Sequence, residues 1–148
     1  MSAYISFFIR SKNDEFIEFS VVSRNNQVFQ HAQHWVNYGR IAQVNLNKID
    51  SAISDINDEL GDCFDTQELY EQKIKDVASF NNSVDEKLEA LHEYRKDIIE
   101  IDEEIKGLMA AVQFFNFLKD MIEQNCRIYV GYECGPDVTV NDIDGDDK

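Results

Sequence analysis

No apolar run in this chain approaches the roughly 18 residues that a membrane-spanning helix needs, and residues 1–11 show no charged-then-apolar leader. These absences predict a soluble, cytoplasmic chain, in the host cytoplasm or a virion if the source is viral, with no membrane partner. Cysteine is scarce: Cys63, Cys126 and Cys134 are an odd number with no C-x-x-C pair. That argues against a secreted disulfide scaffold and predicts free thiols in a reducing compartment.

Catalytic signatures are missing as well. The sequence has no Gly-rich phosphate loop, no nucleophile elbow, no H-E-x-x-H and no Cys–His pairing. Its carboxylates are abundant but lie along segments predicted to be exposed helix, whereas acid–base work needs two of them held in a cleft. The chain is therefore expected to be non-enzymatic, without cofactor or catalytic residues.

Two patterns resemble metal sites and fall short. His31 and His34 stand three apart, which could place them on one helical face, yet no third ligand has a matching spacing. Asp142, Asp144 and Asp146 surround Gly145 like part of a calcium loop. With Gly145 at the sixth position, the first ligand would be Val140, and the chain ends before the twelfth. No metal is expected, and His92, alone in an acidic segment, is assigned no role.

What the sequence does have is aromatic residues, charge and periodicity. Ten Phe and six Tyr within 148 residues, 43% of them hydrophobic, predict a folded single domain despite 29% charged residues. Residues 1–48 carry five Lys or Arg against three Asp or Glu, and residues 49–148 carry nine against 26, so the net charge of −15 belongs to the second part. Such a surface repels nucleic acid and anionic membrane and attracts basic protein surfaces within a Debye length of about 8–10 Å. No direct nucleic-acid binding is expected.

Alternation through Ile5, Phe7 and Ile9, resumed over residues 16–22 after a polar turn, predicts a β-hairpin over 3–23. Val28, Ala32, Trp35 and Val36 predict a short amphipathic helix over 27–38, ending near Gly39. Ile128, Val130 and Tyr132 predict a strand over 127–133 that completes a sheet of about three strands with the hairpin.

The strongest signal lies between. Leu46, Ile49, Ile53, Ile56, Leu60, Cys63, Gln67, Tyr70, Ile74 and Val77 alternate spacings of three and four, a heptad register. Gly61 and the possible cap at Asp65 could divide this helix, but the register passes through unbroken, so a continuous helix is favoured. Ser83 with Glu86 forms a capping-box pattern that starts a second helix. Its seam reads through Val84, Leu88, Leu91, Arg95 and Ile98, then slips by three near Ile101 and resumes at Ile105, Leu108, Val112, Phe115 and Ile122.

The predicted fold is α+β and mainly α. A long antiparallel, coiled-coil-like hairpin over 46–124 packs at its base on the small sheet and short helix, in one domain over 1–134. Its base around Ala110, Ala111, Phe114, Phe115, Phe117 and Leu118 is apolar nearly all round and should be buried on most sides. Residues 135–148 form an acidic tail that on composition should be mobile.

On the first helix, no Lys or Arg falls between Lys48 and Lys73. Asp55, Asp58, Glu59, Asp62, Asp65 and Glu68 recur there at spacings of three and four, about 5–6 Å apart on one surface. A helix made only for stability would intersperse Lys, because like charges so placed repel by a few tenths of a kcal/mol. Two readings follow. One is a protein–protein interaction or assembly protein, such as a viral (phage) structural or accessory subunit and a homo-oligomer, acting through its helical hairpin. The other is an acidic nucleic-acid mimic, an inhibitor or adaptor whose carboxylates imitate phosphates before a basic protein partner. The same acidic face is the candidate contact surface. Heptads alone do not distinguish pairing within a chain from pairing between chains.

Overall fold

The computed structural model describes residues 4–37, 39–132 and 138–144. The elements in chain order are β1 (Tyr4–Arg10), β2 (Phe16–Ser23), α1 (Gln27–Ala32), β3 (Ile41–Gln43), α2 (Leu46–Val77), α3 (Val84–Glu123) and β4 (Arg127–Tyr132). This is the predicted α+β class, a long helix pair with a small antiparallel sheet and a short helix. The chain divides into two compact units, Met1–Ser54 with Ala110–Lys148, and Asp55–Met109.

In the first unit the sheet order is β2-β1-β4-β3, all antiparallel. The predicted hairpin is β1–β2. Its turn places Asp14 at φ 61°, while the Ser11 hydroxyl accepts the Asn13 and Glu15 N–H groups. A bulge shifts the register so that Phe7 pairs with Ser20 and Phe8 with Glu18, which leaves Phe19 as the extra residue. β4 pairs with β1 as expected. The sheet has four strands, not about three: β3, only three residues long, is too short to show a period in the sequence.

Phe7 and Phe8 point to opposite faces of β1, yet both are buried. On the Phe7 face, α3 supplies the cover. Phe114 meets Phe7 edge-on at 5.0 Å, Phe115 lies 5.6 Å from Trp35, and Phe117 lies 6.2 Å from Phe19. Ala111, Phe115 and Leu118 are fully enclosed, whereas Ala110 and Phe117 remain exposed. The base is therefore covered on one side, not nearly all round.

On the Phe8 face, the cover comes from the chain's end. Phe8, Ile41, Tyr129 and Ile143 form a buried cluster with Phe16, Val138 and Val140 packed against it. Ile143 pairs with Ile41 as a parallel bridge, and Asp144 N–H donates to the Ile41 carbonyl at 2.7 Å. Composition predicted mobility, but residues 138–144 are docked. Ile143 has no exposed surface, and its burial offsets the ordering of its polar neighbours. Residues 133–137 and 145–148, which include Cys134 and parts of the predicted strand and tail, lie outside the described residues.

α1 is also shorter than predicted. It ends at Ala32 in a 3-10 turn over Gln33–Trp35, and Val36 is already extended at ψ 146°. Trp35 and Val36 are buried without continuing the helix, and Gly39 takes φ 75° three residues after Val36. Tyr38, the predicted helix end, lies outside the described residues.

α2 is continuous through Gly61, and all ten seam residues from Leu46 to Val77 are buried or half-buried. The Asn45 side chain caps its start by accepting Lys48 N–H at 2.9 Å. α3 starts after Ser83, whose hydroxyl accepts Glu86 N–H at 3.3 Å. It ends in a Schellman motif in which Asn125, at φ 68°, donates to the Ile122 carbonyl while Cys126 donates to that of Met121.

The phase of α3 corrects the sequence reading. Val84, Leu88 and Arg95 are exposed; Lys87, Leu91, Tyr94, Ile98, Ile101, Ile105 and Leu108 are the half-buried or buried row. That row alternates spacings of four and three without a break, so the apparent slip near Ile101 disappears. Periodicity misleads here because polar-tipped Lys87 and Tyr94 are half-buried at inward positions, while aliphatic Val84 and Leu88 face out.

Candidate functional site

In the unit Asp55–Met109, α2 and α3 face each other antiparallel and spend their heptad rows on one another. Gln67 donates to Asp102 at 2.5 Å across the seam, and the Tyr70 and Tyr94 rings lie 6.1 Å apart. Cys63 is a buried free thiol in the same row. Burial, then the neighbouring Glu104 carboxylate, pushes its pKa up, with Glu59 and Asp62 adding to the effect. Tyr70 is likewise raised, chiefly by the Asp97 charge.

With the inner row closed within the chain, the rest of the α2 circumference stays open to solvent. Asp55, Asp58, Glu59, Asp62, Asp65 and Glu68 are all exposed, with Glu59 and Asp62 at the edge of the seam, where they line a shallow depression with Cys63, Ile101 and Glu104. An unbroken helix through Gly61 is what gathers them, since a stop at that point would have split the group. The cations that bracket the run are engaged elsewhere. Lys48 donates to the Gln43 carbonyl at 3.1 Å, and burial lowers its pKa. The Lys73 ammonium sits 4.8 Å from the Tyr70 ring and 5.9 Å from that of Tyr94.

Two residues that the sequence reading passed over belong to this surface. Leu69 is 54% exposed and follows Asp65 by four and Asp62 by seven, which places it within the acidic face. Phe64 is 48% exposed at its flank, four before Glu68. Both fall outside the three-and-four seam spacing, which was the available signal that they face out.

The remaining candidates sit apart. His31 Nδ1 lies 2.8 Å from the Gln27 carbonyl on α1, and exposed His34 stands edge-on to Trp35 at 6.2 Å in the following 3-10 turn. Asp142 caps the Thr139 N–H at 2.8 Å, and Asp144 accepts from the Asn37 amide at 2.5 Å. These carboxylates fasten the end of the chain. Among the described residues, no group of three or more His, Cys, Asp or Glu is arranged to hold a metal, and no helix is long and apolar enough to cross a membrane.

No protein-family model, no curated protein and no solved structure matches the chain.

Proposed function

We propose that this chain is a non-enzymatic interaction protein that acts through the outer surface of its helical hairpin. The observation that carries the reading is the division of labour on α2. Its apolar row is closed against α3 of the same chain, while six carboxylates, Leu69 and Phe64 stay exposed around the rest of its circumference, Glu59 and Asp62 at the edge of the seam beside Cys63 and Glu104. Charge at that density costs stability, and a basic protein surface would offset the cost on contact. Phe64 and Leu69 would add the apolar anchors that give a charged contact its specificity. A subunit of a larger assembly would use the same face against a basic neighbour.

The second reading, a nucleic-acid mimic, is favoured by the regularity of the carboxylates. Asp55, Asp58, Asp62 and Asp65 are spaced by three, four and three, so they form a line of negative charge along one continuous helix. Such a line suits the basic groove of a nucleic-acid-binding protein.

The test is affinity capture with the immobilised wild-type chain and with a variant carrying Asp55→Lys, Asp58→Lys, Glu59→Lys and Asp62→Lys. The wild type is expected to hold a basic protein that elutes as salt rises, and the variant to lose it. A captured protein that a nucleic acid displaces would favour the mimic. Equal capture by both chains, or retention insensitive to salt, would overturn the acidic face as the contact surface.

A further inference from the structure

α3 carries a second row of residues, turned away from α2. Leu88, His92, Arg95, Ile99, Glu103 and Lys106 follow one another by three or four, and every one is exposed. Val84 starts the same row. Three of its members are aliphatic and open to solvent: Val84 is 72% exposed, Leu88 58% and Ile99 50%. A helix with one face on a partner helix and the other in water has no need of aliphatic side chains there. The row thus has the spacing of a helix–helix contact and lacks a partner within the described residues.

The order of charges about Ile99 identifies what fits it. Arg95 and Lys96 lie on its amino-terminal side, Glu100 and Glu103 on its carboxy-terminal side, and with His92 and Ile99 they line a shallow depression. We propose that this face is a self-association surface, on which α3 of a second copy packs antiparallel about a two-fold axis at Ile99. In that arrangement the residue four before Ile99 meets the residue four after it in the other copy. Arg95 then meets Glu103 of the second copy, and the symmetry repeats the pair. A parallel arrangement would set Arg95 against Arg95 and Glu103 against Glu103. Charge complementarity therefore selects both the occupant and its direction. Ile99 meets Ile99 on the axis, and His92 meets Lys106 without attraction.

About this axis the row meets itself from His92 to Lys106, about 21 Å at 1.5 Å per residue, a contact smaller than a standard protein interface, and Val84 and Leu88 lie beyond that stretch. Association in the micromolar range is expected. The inference gives the self-assembly side of the interaction reading a specific surface and rests on that reading for its biological sense. It does not involve the acidic face of α2, so the four-Lys variant should still self-associate, and the two proposals fail separately.

Light scattering on the full chain between about 5 and 200 μM tests it. The mass should rise from 17.2 kDa towards twice that value, and Ile99→Asp should hold it at 17.2 kDa with an unchanged circular dichroism spectrum. Arg95→Glu should weaken association at least tenfold, and the double exchange Arg95→Glu with Glu103→Arg should restore it. Ile99→Cys should cross-link into a disulfide dimer on mild oxidation beyond the wild-type background, whereas Glu93→Cys, on another side of α3, should not. A monomer throughout the range with no Ile99→Cys dimer would overturn the proposal. So would a dimer indifferent to Ile99→Asp, and failure of the double exchange to restore association would overturn the antiparallel geometry.

Discussion

Asn125 holds a left-handed backbone conformation at the end of α3, where its N–H and that of Cys126 satisfy two carbonyls of the last turn. Asn tolerates this region better than other side chains do, and Gly best of all. Asn125→Ala should therefore lower stability by about 1 kcal/mol, and Asn125→Gly should leave it level or raise it; denaturant midpoints of the two variants check this. Gly61 is the opposite case. It lies mid-helix with nothing within 4 Å of where a Cβ would stand. Gly61→Ala should stabilise the chain by about 0.5–1 kcal/mol, visible as a higher thermal midpoint.

Cys63 adds a pH dependence. Its pKa in the fold lies above its ordinary value, so the fold favours the protonated thiol. That contribution is complete below the unfolded thiol's pKa, about 8.5, and is lost as pH rises through the higher folded value. The unfolding midpoint should fall on the alkaline side of pH 9, and Cys63→Ala should reduce the fall. The position of Cys63 in the α2 row was legible from spacing. The carboxylate from α3 that raises its pKa was not, because the seam of α3 was phased from Val84.

That misphasing shows what periodicity can and cannot reveal about an element. In α2, apolar residues mark the inner row almost alone, and every member is withdrawn from solvent. In α3, apolar residues stand on two sides, and hydropathy does not say which side meets the partner helix. The same limit hid the docked end of the chain, where a single Ile among carboxylates gives no period at all. Ile143 nonetheless completes the cluster of Phe8, Ile41 and Tyr129. Ile143→Ala should cost roughly 2–4 kcal/mol in a denaturant titration, an amount out of proportion to its place in a polar segment. Ile143→Asp should expose the Phe8 face and increase binding of a hydrophobic dye. Phe114→Asp, against Phe7 on the other face, should disrupt the sheet–helix packing, and a normal near-ultraviolet spectrum for that variant would contradict the placement of the core.

For the molecule as a whole, the consequence is where function can reside. The continuous α2 and the exposure of its six carboxylates could be read from residue order, because each depends on spacing within one helix, and the α+β class needed only the alternation of β1, β2 and β4 besides. Which heptad row pairs with which could not, since that depends on contacts between helices distant in sequence. The structure closes both rows inside one chain through Gln67–Asp102 and Tyr70–Tyr94, and so leaves the outer faces open to solvent. The central claim is this intramolecular closure. Its most direct test is the thermal unfolding midpoint of the Ile99→Asp chain, in which association through α3 is removed, measured from about 1 to 100 μM. Closure within the chain predicts a midpoint independent of concentration; a midpoint that climbs with concentration would show that the heptads pair between chains and would contradict the account.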